Sequence, residues 1–159
     1  RTLLSVGADK VSINTAALRC PSLLRSAASK FGSQAIVASI DVPMGGYVSA
    51  GRGWAPGLRW GANFLANQFA QAGAGEILLQ SVDRDGTMQG YDLDLIRSVT
   101  AEVSVPVIAC GGAGRSEHFA EAFAVGASAC AASAMFQFTE VTPRDVCRHL
   151  KSHGWDVRA

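Results

Sequence analysis

Short apolar runs alternate along the chain with longer amphipathic stretches. Residues 10–14 (KVSIN), 35–41 (AIVASID), 76–81 (EILLQS), 106–110 (PVIAC) and 128–132 (SACAA) predict strands. Their nearly continuous apolar character suits a parallel sheet covered on both faces. Between them, residues 21–30, 58–72, 93–103, 116–125 and 143–152 predict helices. Pro21 and Pro143 fit a first helical turn, and Ser116 ahead of Glu117 predicts an N-cap followed by an acidic first turn.

The order is β-α repeated five times, and connection rules make such an arrangement parallel and right-handed. A Rossmann sheet and a TIM barrel both satisfy that order. Three predicted strands follow the same Gly-Ala step, at Gly7-Ala8, Gly73-Ala74 and Gly126-Ala127. Ordinary helix-to-strand turn chemistry explains each one singly, while the recurrence favours a barrel of similar modules. Residues 1–6 read as the end of a helix running into Gly7, and a full (β/α)8 barrel typically needs ~250 residues. The expectation is an α/β fold, an N-terminally truncated (β/α)8 barrel of about five βα units, with residues 1–159 as the C-terminal part of one barrel domain.

Composition narrows the function classes. With 48% hydrophobic and 17% charged residues, the chain is neither disordered nor fibrous. Fourteen Lys and Arg against thirteen Asp and Glu leave a net charge of +1, so bulk charge favours neither nucleic acid nor an anionic membrane, and an anionic ligand must be held locally. No apolar run approaches the ~20 residues of a membrane helix, and a cytoplasmic protein is expected. Cys20, Cys110, Cys130 and Cys147 form no CxxC pair and read as reduced, mostly buried small hydrophobes. His118, His149 and His153 lack ligand-like spacing and read as exposed or partly packed, so neither a metal nor a cofactor is expected.

Barrel enzymes build their sites from loops at the C-terminal strand ends. Ser12-Ile13-Asn14-Thr15 closes the first strand where a helix begins, as a plain N-cap or as an anion site at free N–H groups. Asp41 ends an apolar strand, where partial desolvation suits a carboxylate to proton transfer; a structural cap or ion pair is the plainer alternative. Residues 81–87 (SVDRDGT) put three charges and a glycine after the third strand. An Asp-Gly turn explains Asp85 and Gly86 but not Asp83. Gly111-Gly112-Ala113-Gly114 leads into a helix, and Ala132-Ser133 opens another turn; as the last two βα loops they match the standard barrel phosphate cradle. The segment 44–57, which contains Trp54, exceeds an ordinary loop and reads as a mobile lid.

GADKVSINTAA (7–17), FGSQ (31–34), SID (39–41), GAGEILL (73–79), DRDGT (83–87), GYD (90–92) and GGAG (111–114), in this order, closely resemble the cyclase subunit of imidazole glycerol phosphate synthase. The resemblance covers essentially the whole chain. It implies a barrel that takes ammonia from a partner glutaminase and acts on a ribulosyl-phosphate aminoimidazole carboxamide ribonucleotide, a bis-phosphate. The implied products are imidazole glycerol phosphate, for histidine synthesis, and an aminoimidazole carboxamide ribotide. By the same resemblance Asp41 is the catalytic acid/base on the family's fifth strand, paired with a first-strand aspartate that would lie upstream. Ser12, Asn14 and Thr15 match one phosphate and substrate site; Gln80, Asp85, Gly86, Gly112, Ala132 and Ser133 match the other. Lys10 and Glu76 match the ammonia gate at the opposite end of the barrel, and Asp9 a glutaminase-facing position.

Three positions depart from the cyclase pattern. Gln80 replaces Asn or Thr, Pro43 replaces a common Lys, and Gln137 replaces the His of a Phe-His-Phe segment. Together with TMQGYD (87–92) and ACGG (109–112), they look more like paralogues from surface-polysaccharide gene sets. Those pair with a glutaminase to aminate or amidinate a nucleotide-linked sugar, which is the alternative expectation.

Overall fold

The computed structural model describes residues 2–48 and 60–158. The chain runs through α1 (Thr2–Ser5), β1 (Val11–Ile13), α2 (Thr15–Arg19), α3 (Ser22–Phe31), β2 (Ile36–Val42), β3 (Tyr47–Val48), β4 (Trp60–Gly61), α4 (Ala62–Gln71), β5 (Glu76–Ser81), α5 (Leu93–Thr100), β6 (Val107–Cys110), α6 (Ser116–Ala124), β7 (Ala129–Ala131), α7 (Ala134–Phe138) and α8 (Pro143–Ser152). Strands β1, β2, β5, β6 and β7 form one parallel sheet in that order.

That order decides between the two architectures. A Rossmann sheet reverses its strand order at a switch point, whereas here each strand pairs with the next in the chain. The sheet is wound in one direction only, as consecutive units of a (β/α)8 barrel are.

Alternating burial shows which face carries the helices. Ile36, Ala38, Ile40, Val42, Ile77, Leu79, Val107 and Ala109 are buried, in one core with Leu24, Leu65, Phe69, Ile96 and Phe119 from the helices. Each large side chain taken out of water there contributes about 1.5–3 kcal/mol. On β5 the alternate positions Glu76, Leu78 and Gln80 are only half-buried. The expectation of two covered faces therefore holds for β2, buried along nearly its whole length, but not for β5 and β6. On β5 the half-buried positions include the polar Glu76 and Gln80 inside a run whose average is apolar, and on β6 they are Ile108 and Cys110. In a barrel that second face points to the interior.

The Gly-Ala steps are one repeated turn. Gly7, Gly73 and Gly126 have φ of +103°, +103° and +107°. In each case the following alanine N–H donates back to the helix: Ala8 to the Leu3 carbonyl, Ala74 to Phe69 and Ala127 to Ala122, at 3.0–3.1 Å. This is the Schellman ending, which needs a left-handed residue that only glycine supplies without strain.

Several boundaries differ from the sequence reading. β1 and β7 are three residues each, and α5 stops at Thr100 because Val103 already belongs to the approach to β6. The segment read as a long loop begins with β3, which pairs antiparallel with β4. Trp54 and most of the expected lid lie outside the described residues. Ser116 is the first helical residue and Arg115 the N-cap, without a side-chain capping bond. Instead the His118 ring reaches back, and its Nδ1 accepts the Gly114 N–H at 3.1 Å. Cys20 is exposed and the other three cysteines are half-buried, so the expectation of mostly buried thiols fails, although all four are free.

Candidate active site at the strand ends

Register brings the predicted residues into one row. Asp41 pairs with Gln80, Gln80 with Cys110, and Cys110 with Ala131, so the ends of β2, β5, β6 and β7 lie side by side. Paired residues of neighbouring strands share a face, and this face is the one opposite the helices.

Beside the row lies a cavity of about 290 Å³, lined by Gln80, Asp85, Gly86, Cys110, Gly112, Ala132 and Ser133 among others. Gln80 Nε2 donates to Asp85 Oδ2 at 3.3 Å, which fixes both over the cavity. Ser133 is the N-cap of α7 but its hydroxyl makes no capping bond. The Cys110 thiol is pushed up, first by burial and then by the negative charges of Asp85 and Asp41.

The glycines of this site answer to close backbone approach. A Cβ on Gly112 would stand 2.2 Å from the Gly90 carbonyl oxygen, and on Gly114 2.2 Å from that of Met88. The Gly90 N–H donates to the Gly112 carbonyl at 2.7 Å, and Arg84 donates to the Gly90 carbonyl at 3.3 Å. The loop after β5 is thus seated directly on the loop after β6. Met88, in that contact, has φ +57°.

Three residues that hold the site together were not named as site residues from the sequence. Tyr91 is buried, and its hydroxyl donates to the Ala131 carbonyl at 3.0 Å, tying the end of β7 to the loop after β5. Its ring meets Phe119 edge to face at 5.7 Å. Asp92 caps α5 by accepting the Leu95 N–H at 3.1 Å. His118 is buried behind the glycine loop, contrary to the expectation of exposed or partly packed histidines. Its basicity is lowered, first by burial and then by the Arg115 guanidinium, whose Nε approaches Nε2 at 2.8 Å. A GYD triplet and a His at the third position of a helix were the available signals.

The remaining predicted residues lie elsewhere. Ser12 is on β1, half-buried Asn14 occupies the N-cap position of α2 without a side-chain capping bond, and exposed Thr15 opens that helix; none lines the cavity. At the N-terminal strand ends the Lys10 ammonium pairs with the Glu76 carboxylate. Asp9 is exposed beside them. No group of three or more potential metal ligands occurs among the described residues, and no helix among them is long and apolar enough to cross a membrane.

Fold and strand-end cluster together define a βα-barrel protein whose polar loops gather at the C-terminal ends of its strands. The chain belongs to the histidine biosynthesis protein family, whose pattern matches residues 1–142. It is 50% identical, over 99% of its length and 63% of the relative's, to imidazole glycerol phosphate synthase subunit HisF of Pyrobaculum aerophilum. The subunits of the same name from Thermobifida fusca and Mycobacterium tuberculosis are 48% and 50% identical, with 98% and 99% of this chain matched to 64% and 62% of theirs. The chain therefore spans a little under two thirds of the length of these curated relatives.

Proposed function

We propose that this chain is the part of an imidazole glycerol phosphate synthase cyclase that carries one acid/base carboxylate and a phosphate cradle. The observation that carries the reading is the single row from Asp41 through Gln80 and Cys110 to Ala131, with the Gly112 and Ser133 loops at its end. A bis-phosphate substrate would place one phosphate against Gly112, Ala132 and Ser133 and the other near Asn14 and Thr15. Its reacting centre would then lie over Asp41.

Asp41 is exposed on the open face rather than partly desolvated as its strand-end position predicted, because it points away from the helices, and its carboxylate is open to a reacting atom. As general base it would accept a proton during ammonia addition, and as general acid return it during ring closure and lyase cleavage. Gln80 donates to Asp85 and can present its carbonyl oxygen to the substrate. Ammonia from a glutaminase subunit would enter at the opposite strand ends, past Asp9, Lys10 and Glu76. Supporting this, the Lys10–Glu76 pair lies at the far end of the same strands from Asp41. The relatives are named as synthase subunits, which fits a chain that works beside a partner subunit; a lyase-type reaction in the cytoplasm belongs to the same proposal.

The test is ammonium-dependent consumption of the ribulosyl aminoimidazole carboxamide ribonucleotide by the complete gene product that carries this sequence. Asp41→Asn should lower kcat by about 10²–10⁴ with the circular dichroism spectrum unchanged. Retained turnover in that variant would refute the assignment of Asp41. A well-folded wild type that ignores this substrate would move the reading to the sugar-amidating paralogue.

A further inference from the structure

Asp83 was left unexplained by turn chemistry, and its geometry gives it a task. The β2–β5 ladder runs in register to Val42 and Ser81, and the Val82 N–H then donates to the Val42 carbonyl at 3.0 Å. The next residue on the β2 side, Pro43, has no N–H to offer, so backbone pairing must stop there. The first donor beyond it is the Met44 N–H, and it is taken by Asp83 Oδ2. Arg84 turns the other way, to the Gly90 carbonyl and Asp92.

We infer that Asp83 is a positioning residue: its carboxylate replaces the missing ladder bond and clamps the chain leaving Asp41 to the end of β5. The clamp acts just three residues beyond Asp41 and two before the Gly46 carbonyl, which accepts the Ala62 N–H at 3.2 Å where the β3–β4 ribbon joins α4. Two fixed points therefore bracket residues 44–46, and the first lies just past the end of the ladder that pairs Asp41 with Gln80. Without it only the Val82–Val42 bond holds the strand end beyond Asp41, because Pro43 has no N–H to pair with β5. A catalytic carboxylate loses rate when displaced by about 1 Å while the distant phosphate contacts survive. The consequence for turnover rests on the proposed acid/base role of Asp41; the clamp itself does not.

Two measurements on the complete gene product separate these levels. Amide hydrogen exchange at Met44 reads the clamp, and steady-state turnover with ammonium reads its effect on Asp41. Asp83→Ala should speed Met44 exchange by about tenfold or more, as expected on loss of a charge-assisted hydrogen bond. It should lower kcat about tenfold with KM within about twofold. Asp83→Asn keeps an oxygen acceptor and should restore both to within about threefold of wild type. Unchanged Met44 exchange in Asp83→Ala, or an Asn variant as impaired as the Ala one, would overturn the inference. A wild type without turnover would instead count against the proposed function, with the exchange data still deciding the clamp.

Discussion

Replacing Gly112 by alanine tests whether the two strand-end loops are locked by backbone contact. Three terms add. Gly112 has φ +108°, where an L-residue costs about 1–2 kcal/mol. The new Cβ would meet the Gly90 oxygen at 2.2 Å and the Arg84 Cβ at 3.2 Å. Such overpacking against backbone costs roughly 1–3 kcal/mol. Relief of the clash must stretch the 2.7 Å bond from the Gly90 N–H to the Gly112 carbonyl, worth about 1 kcal/mol. The expected total is roughly 3–6 kcal/mol, from these three terms. Gly86→Ala is the internal control, because φ is +77° there and nothing stands within 4 Å of the added Cβ. Its backbone strain is partly offset by the lower entropy of the unfolded chain, leaving about 1 kcal/mol or less. In thermal unfolding of the complete gene product, the Gly112 variant should melt at least about 6 °C lower and the Gly86 variant within about 4 °C of wild type. Equal shifts in the two variants would refute the packing argument, since only the clash and the hydrogen bond distinguish them.

Removing the Tyr91 hydroxyl in Tyr91→Phe leaves the edge contact with Phe119 and deprives the Ala131 carbonyl of its donor. Urea unfolding should show a loss of about 1–2 kcal/mol, and an unchanged midpoint would mean the tie to β7 is immaterial. Because burial and Arg115 lower the affinity of His118 for a proton, the unfolded chain binds that proton more readily than the folded one. Stability from this site is complete above the ordinary His pKa of about 6.5 and falls as pH drops below it. Replacing His118 by Gln should flatten the pH dependence of the unfolding midpoint between about pH 7 and 5. A slope identical to wild type would assign the effect to other groups, Glu117 and Glu121 being the carboxylates nearest the ring's field.

The sheet was legible because its signals are local. Runs such as EILLQS became a strand with the expected ends, and α8 began at Pro143 as read, held by a capping box in which the Thr142 hydroxyl accepts the Asp145 N–H and the Asp145 carboxylate accepts the Thr142 N–H. Asp41 and the glycine and serine loops at 111–114 and 132–133 were singled out because strand ends are where barrel loops gather, Gln80 and Asp85 through the family resemblance, and the register sets Asp41 beside Gln80. What escaped was contact between loops distant in sequence. Tyr91 reaches forty residues along the chain to Ala131, and Met88 adopts φ +57° because Gly114 packs on its carbonyl. No periodicity encodes either, since each depends on where two turns meet in space. Ser116 misled because a serine before an acidic residue satisfies the N-cap pattern, yet Arg115 takes that position and the His118 ring reaches back to the Gly114 N–H ahead of it.

The two ends of the sheet are built from different chemistry, and that difference gives the chain its direction. At the N-terminal ends the Lys10 ammonium is taken up by the Glu76 carboxylate, with Asp9 exposed beside them. At the C-terminal ends Asp41 and Asp85 stand near Cys110, and among the described residues no lysine or arginine lines the cavity, whose wall offers backbone N–H groups and the Ser133 hydroxyl to an anion. Glycine at 112 lets the two loops close to van der Waals range, and the Gly90 bond holds them there. On the proposed function, neutral donors beside two carboxylates would favour a phosphate at the last two loops over any position nearer Asp41, where the negative charges would repel it. The same charges would leave the space over Asp41 to an uncharged reacting part of the substrate, so that positioning would fall to the last two loops and proton transfer to the first long strand.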